Sequence, residues 1–140
     1  MKMLFSLLSI MCCFNSFAHD TTAVEKEIFN KINNYRSTIG KSKLTYVTSK
    51  VESCRSHSRH MGINNNLEHV KSLSQVGANA EIIQMNYTDG RTNEEIAIDV
   101  LEIFIDSQAH KKIIEGDYSQ ISVGIFITKD EDLWVTIRFN

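Results

Sequence analysis

The sequence has 140 residues, with 15 basic and 17 acidic side chains, three cysteines, six glycines and no proline. Its length suits one domain, and 42% hydrophobic with 23% charged residues is ordinary globular composition, which excludes disorder and collagen-like structure. A formal charge of −2 argues against a basic nucleic-acid footprint and a polybasic membrane surface.

Lys2 gives a short positive start, Met3 to Phe14 is a near-continuous apolar run, and Ser16-Phe17-Ala18 supplies small residues around a cut. These are the three zones of a secretory signal peptide, expected to span residues 1–18 and to leave a single domain at 19–140. The run is shorter than the roughly 20 residues a membrane span needs, and no later segment is long and apolar enough to be one. Ser9-Ile10-Met11 lacks the small residue expected before a lipidated Cys12. Cleavage removes Cys12 and Cys13, so Cys54 has no partner for an intramolecular disulfide and an apolar core must supply stability.

From Thr22, Val24, Ile28, Ile32, Tyr35 and Ile39 recur at helical spacing, with Gly40 where a left-handed cap is wanted. A second helix starts near Thr48 or Ser49. Val47, Val51, Cys54, Ser58 and Met61 form its stripe, and Gly62 with Asn64-Asn65-Asn66 is read as its break. Leu67 to Ala80 reads as an irregular connection, and Glu81 to Met85 as a short strand ending before Asp89-Gly90. Thr92 and Glu95 fit a capping box. The helix they open carries Ile96, Ile98, Val100, Leu101, Ile103, Phe104 and Ile105, a breadth that predicts deep burial. Ile121 to Ile127 and Leu133 to Phe139 alternate around Lys129-Asp130-Glu131-Asp132, predicting a hairpin with one buried side. Three helices and an antiparallel sheet make an α+β domain.

Five histidines remain for chemistry: His19, His57, His60, His69 and His110. His19 would sit at a disordered new terminus. His57 and His60 are one turn apart but have no third ligand spaced with them, so they read as exposed helix groups. Cys54 sits one turn before His57, yet its place on the stripe favours a buried, inert thiol. His69 and His110 fall where ordered elements end, and Glu81, opening an apolar strand, needs a partner if that strand is central. Two imidazoles and a carboxylate suit a divalent metal such as zinc, or acid–base work.

The order of these pieces resembles the CAP superfamily (cysteine-rich secretory proteins, antigen 5, pathogenesis-related 1), in particular its cysteine-poor bacterial SCP-like branch. Ile28 to Arg36 resembles the family's opening helix, and Leu44 its leucine before the second helix. His57, Ser58 and Met61 resemble the aromatic/His-Ser-x-x-Met stretch. Leu67-Glu68-His69 resembles the Phe-Ser-His signature, and Ala80-Glu81-Ile82-Ile83 the Gly-Glu-Asn-Ile motif. Phe104 to Ile114 resembles the Trp-x-x-Ser-Pro-Gly-His-Arg block, and Ile121 to Phe139 the terminal hairpin. The likeness spans residues 19–140, with departures at Ala80, Ile82, Phe104 and Gln108-Ala109.

This resemblance implies a three-layer α-β-α sandwich around a central antiparallel sheet. It also implies a cavity lined by His69, Glu81 and His110, able to hold a divalent metal such as zinc. Ser107 stands at the usual fourth, acidic position, for which Asp106 or Glu102 could substitute. The expected protein is a secreted or periplasmic, monomeric, non-catalytic binding module for an extracellular ligand or protein, with sterols and lipids the implied ligand class. The alternative is a metal-dependent or general-base hydrolase with Glu81 as the candidate catalytic residue. No nucleic-acid partner is expected. Asn86-Tyr87-Thr88 is a glycosylation sequon, relevant where the host glycosylates exported proteins.

Overall fold

The computed structural model describes residues 19–140; the expected signal peptide lies outside the described residues. Asp20 caps α1 (Thr21–Thr38), its carboxylate accepting from the Thr22 and Ala23 amides. Gly40 follows the helix at φ +74°, the left-handed geometry that glycine adopts without Cβ strain. Strand β1 (Thr45–Tyr46) and a 3₁₀ turn (Thr48–Lys50) lead into α2 (Val51–Asn64). An irregular stretch with a second 3₁₀ turn (Ser74–Val76) reaches β2 (Ala80–Tyr87). The Thr92–Glu95 capping box opens α3 (Asn93–Asp106), followed by α4 (Gln108–Ile114), β3 (Gln120–Ile127) and β4 (Asp132–Phe139). Among the described residues, no helix is long and apolar enough to cross a membrane.

The sheet order is β1-β3-β4-β2, antiparallel except for the short parallel pairing of β1 with β3. One face packs Ile121, Val123, Ile125, Val135, Ile137 and Phe139 against Val24, Ile28 and Ile32 of α1 and Ile96, Val100 and Phe104 of α3. The opposite face lies under α2, where Met61 meets Ile83 and Trp134. This is the α+β, three-layer arrangement the sequence implies.

Three local expectations change. The β3–β4 hairpin is buried on both sides, because α2 covers the face bearing Ser122, Gly124, Thr136 and Arg138. Gly62 does not break α2; it lies inside the helix, where a Cβ would come within 2.7 Å of Phe126. The helix ends at Asn65, at φ 47°. Helix α3 is not enveloped, since Ile98 and Ile103 are exposed on its outer side. His19 Nδ1 lies 3.1 Å from Asn93 Oδ1.

Polar ties join the layers. Asn33 bridges the Leu44 backbone with its amide, at 2.8 and 3.0 Å. The buried Arg36 donates to Ile114 O, Gly116 O and Ser42 O, satisfying carbonyls where α4 ends. Glu25, also buried, takes Arg55 Nε and Nη2 at 2.7 and 2.6 Å and the Ile125 amide at 3.1 Å. That carboxylate links α1, α2 and the edge of β3.

Helix α2 sits on β3 at Gly124, where a Cβ would lie 2.3 Å from Arg55 N and 2.5 Å from Cys54 Cβ. Ser58 Oγ is 2.9 Å from Gly124 O and 2.8 Å from Thr136 Oγ1, so it gives its proton to the carbonyl and accepts from the threonine. Gly124→Ala is therefore expected to destabilise by about 2 kcal/mol through backbone displacement of α2, measured by urea unfolding. An unchanged midpoint would contradict the close approach.

Candidate functional site

The most elaborate polar cluster forms where β2 begins. The register sets Glu81 opposite Arg138 of β4, and strand alternation turns both to the α2 side of the sheet. Glu81 Oε2 accepts from Arg138 Nε at 2.8 Å, and Arg138 Nη1 donates to Ser53 Oγ of α2 at 2.8 Å. Glu81 Oε1 accepts from the Val70 amide at 3.0 Å and from His69 Nδ1 at 3.1 Å. His57 Nε2 lies 3.9 Å from the same oxygen and donates to Glu68 O at 2.8 Å. His60 Nε2 is 3.1 Å from Glu68 Oε1. One buried carboxylate thus gathers β4, α2 and the segment following α2.

These contacts fix the carboxylate's charge state. Burial pushes the Glu81 pKa upward, but the hydrogen bonds from Val70, Arg138 and His69, with the Arg138 charge, outweigh it and hold the group below the ordinary glutamate value. His69 is more than half exposed and uses Nδ1 on Glu81, which leaves Nε2 as its free acceptor. Beside it lies a cleft of about 480 Å³ lined by His69, Leu73, Ala80, Glu81, Ile113 and Tyr118, among others. The lining is mainly apolar, with the His69–Glu81 pair as its polar end.

His69 and Glu81 therefore come together, and His110 stands apart from their hydrogen bonds. It lies on α4, its ring edge-on to Phe104 at 5.2 Å between centroids. Burial first, and then the charge of His69, lower the His110 pKa. Ser107 joins α3 to α4, Asp106 and Glu102 are exposed on α3, and none of the three lines the cleft. Among the described residues, no group of three or more His, Cys, Asp or Glu side chains is disposed to hold a metal ion. Glu81 already faces a guanidinium, whose positive charge opposes a cation on the same carboxylate.

His57 departs from its expectation as an exposed helix group: its side chain is 12% exposed and faces Glu81. Arg138 and Ser53 were not singled out from sequence. A covered second hairpin face would have required a carboxylate for Arg138, and Glu81 was the acid already in need of a partner. Cys54 is buried as expected; burial pushes its thiol up to about 12, so it is not a nucleophile at neutral pH. The Asn86 sequon stands on β2 with Nδ2 buried.

Two measurements follow from this geometry. A glutamate with a depressed folded pKa stabilises above its ordinary value, and that contribution is lost as pH falls through the folded pKa. Glu81→Gln is expected to cost about 3 kcal/mol at neutral pH by leaving Arg138 uncompensated. It should also flatten the loss of stability below about pH 4.3, as urea midpoints against pH would show. In NMR titration, His110 is expected to titrate below an ordinary histidine and to move upward in His69→Ala. An unshifted His110, or one indifferent to that substitution, would refute the coupling.

No family model matches the sequence, and no curated protein sequence matches it significantly. Solved structures do. An outer surface protein from Borrelia burgdorferi superposes with a TM-score of 0.69 at 16% identity, over 87% of this chain and 96% of that one. An extracellular protein containing a SCP domain from Bacillus anthracis gives 0.64 at 16% identity, over 86% of this chain and 41% of that one. NaASP2, solved with Zn²⁺, gives 0.63 at 8% identity, over 84% and 79%. With helices on both faces of its four-stranded sheet, the chain has the α-β-α fold of the CAP, or SCP-like, proteins.

Proposed function

We propose that the chain is a CAP-superfamily member that is exported and acts as a non-catalytic binding module. Its ligand is a lipid-like amphiphile, held in the cleft between the segment after α2 and α4. The observation that carries this reading is the commitment of Glu81. Both its oxygens are hydrogen-bonded, one to a buried guanidinium, and these bonds hold its pKa below the ordinary glutamate value, whereas a general base needs a pKa near the working pH. A cleft of about 480 Å³ is of the size that small ligands fill. Leu73, Ile113 and Tyr118 would cover an apolar body, and the free His69 Nε2 would accept from a hydroxyl head.

Export is supported by the leader-like residues 1–18 and by the names of structural neighbours, an outer surface protein and an extracellular protein. Zinc is the cofactor the resemblance implies; at Glu81 it would share a carboxylate that already pairs with Arg138.

Titration with the fluorescent sterol dehydroergosterol tests the reading. Saturable binding is expected, weakened about tenfold in His69→Ala and in Ile113→Glu, a loss of about 1.4 kcal/mol. Non-saturable uptake, or binding indifferent to both substitutions, would count against it. Ester or peptide turnover that disappears in Glu81→Gln while the fold persists would establish the hydrolase instead.

A further inference from the structure

We propose that the outer edge of β3, from Ile125 to Ile127, is a docking site for an extended, acidic peptide segment of a partner protein, which adds to the sheet as a short strand. This edge is on the opposite side of the sheet from the His69 cleft, since the strand order places β2 at one margin and β1–β3 at the other.

Strand β1 pairs with β3 only at Gln120 and Ile121, so among the described residues the remainder of β3 has no neighbouring strand on that side. The ladder phase identifies the outward groups. Gln120 exchanges hydrogen bonds with Asn140, and the Thr128 amide donates to Asp132 O, so the even-numbered residues face β4. The odd-numbered residues therefore face outward. Three outward groups are already satisfied: Ile121 O accepts from the Val47 amide, Val123 O from Tyr46 Oη, and the Ile125 amide donates to Glu25. Ile125 O and the amide and carbonyl of Ile127 come next, and among the described residues no hydrogen bond reaches them; Ile125 is itself buried, whereas Ile127 is partly exposed and is the accessible part of the edge. An unpaired backbone donor and acceptor are what an added strand recognises through its own backbone.

The edge also opens onto a space that suits such a strand. A cleft of about 350 Å³ lies along Ile125, Phe126 and Ile127, walled by Thr21 at the start of α1 and by Arg55 and Arg59 of α2. Three strand residues extend about 10 Å, which matches this short open edge. Charge selects the occupant. Arg55 is committed to the buried Glu25, whereas Arg59 lies over the Phe126 ring at 5.4 Å and makes no ion pair with any described residue. Glu52, on the same wall, is 3.7 Å from Arg55 and leaves Arg59 to the incoming chain. A carboxylate on the added strand would meet Arg59 bidentately, with backbone pairing at Ile127 fixing its register.

The test uses the full chain, ¹⁵N-labelled, with three end-capped six-residue peptides of alternating valine and threonine. One carries a central glutamate, one a lysine in its place, and one the glutamate with N-methylated backbone amides. The glutamate peptide is expected to bind saturably, shifting the Ile127 amide and slowing its hydrogen exchange. The lysine peptide should bind about tenfold more weakly, the N-methylated one should not bind, and Arg59→Glu should reverse the preference between glutamate and lysine. Arg59 is exposed and outside the His69 cleft, so this variant leaves sterol binding as a folding control. No shift at Ile127 up to millimolar peptide would overturn the proposal. So would equal binding of the N-methylated peptide, or burial of this edge in a concentration-dependent dimer of the chain itself.

Discussion

The carboxylate of Glu81 is the point on which the organisation of the candidate site depends. A glutamate inside a three-layer domain costs several kcal/mol unless its charge is matched. Here the match comes from Arg138 on the neighbouring strand, the Val70 amide and His69. These partners come from two distant parts of the chain, β4 and the segment after α2. The pairing therefore reads out strand register, the position of α2 through Ser53, and the path of the segment after α2. A one-residue slip of β2 against β4 would turn Glu81 to the other face and strand Arg138 against α2. The ion pair thus specifies the arrangement more than it adds net stability.

Glu25 and Arg55 place a second buried carboxylate–guanidinium pair at the far margin of the sheet. There the carboxylate takes the Ile125 amide, so a side chain closes part of an edge that β1 is too short to cover. The two margins differ in consequence. The Glu81 margin is roofed by the segment after α2 and by α4, enclosing an apolar cleft with a polar end. The Glu25 margin keeps a length of strand open beside an arginine without an acidic partner among the described residues. A domain built this way has two chemically distinct margins, one an apolar cleft with a polar end and the other a strand edge beside an arginine.

Much of this was legible in the sequence, for physical reasons that vary by element. The capping box at Thr92 and Glu95 and the alternation of β3 and β4 are local patterns, and both form as expected. Helix α4, at seven residues, is too short to show a period, and β1, at two residues, carries no pattern. Gly62 looked like a breaker, but it and Gly124 are small because α2 lies against the sheet, which only the tertiary structure reveals. His69 and Glu81 were found through residue type and family likeness. His57 was misjudged because its own helix face looked polar, although it lies one turn from the buried Cys54 and beside Ser58. Arg138 alternates with Ile137 and Phe139 and so resembled a solvent-facing residue until α2 was placed over it.

The central claim is that Glu81 is a structural anion that shapes the cleft, with no part as an acid or base. Its side-chain carboxyl can be followed directly by ¹³C NMR titration of the folded chain. The midpoint is expected below that of an ordinary glutamate, because Val70, Arg138 and His69 all favour the charged form. A midpoint near neutral pH would contradict the claim and return Glu81 to the range of a catalytic group.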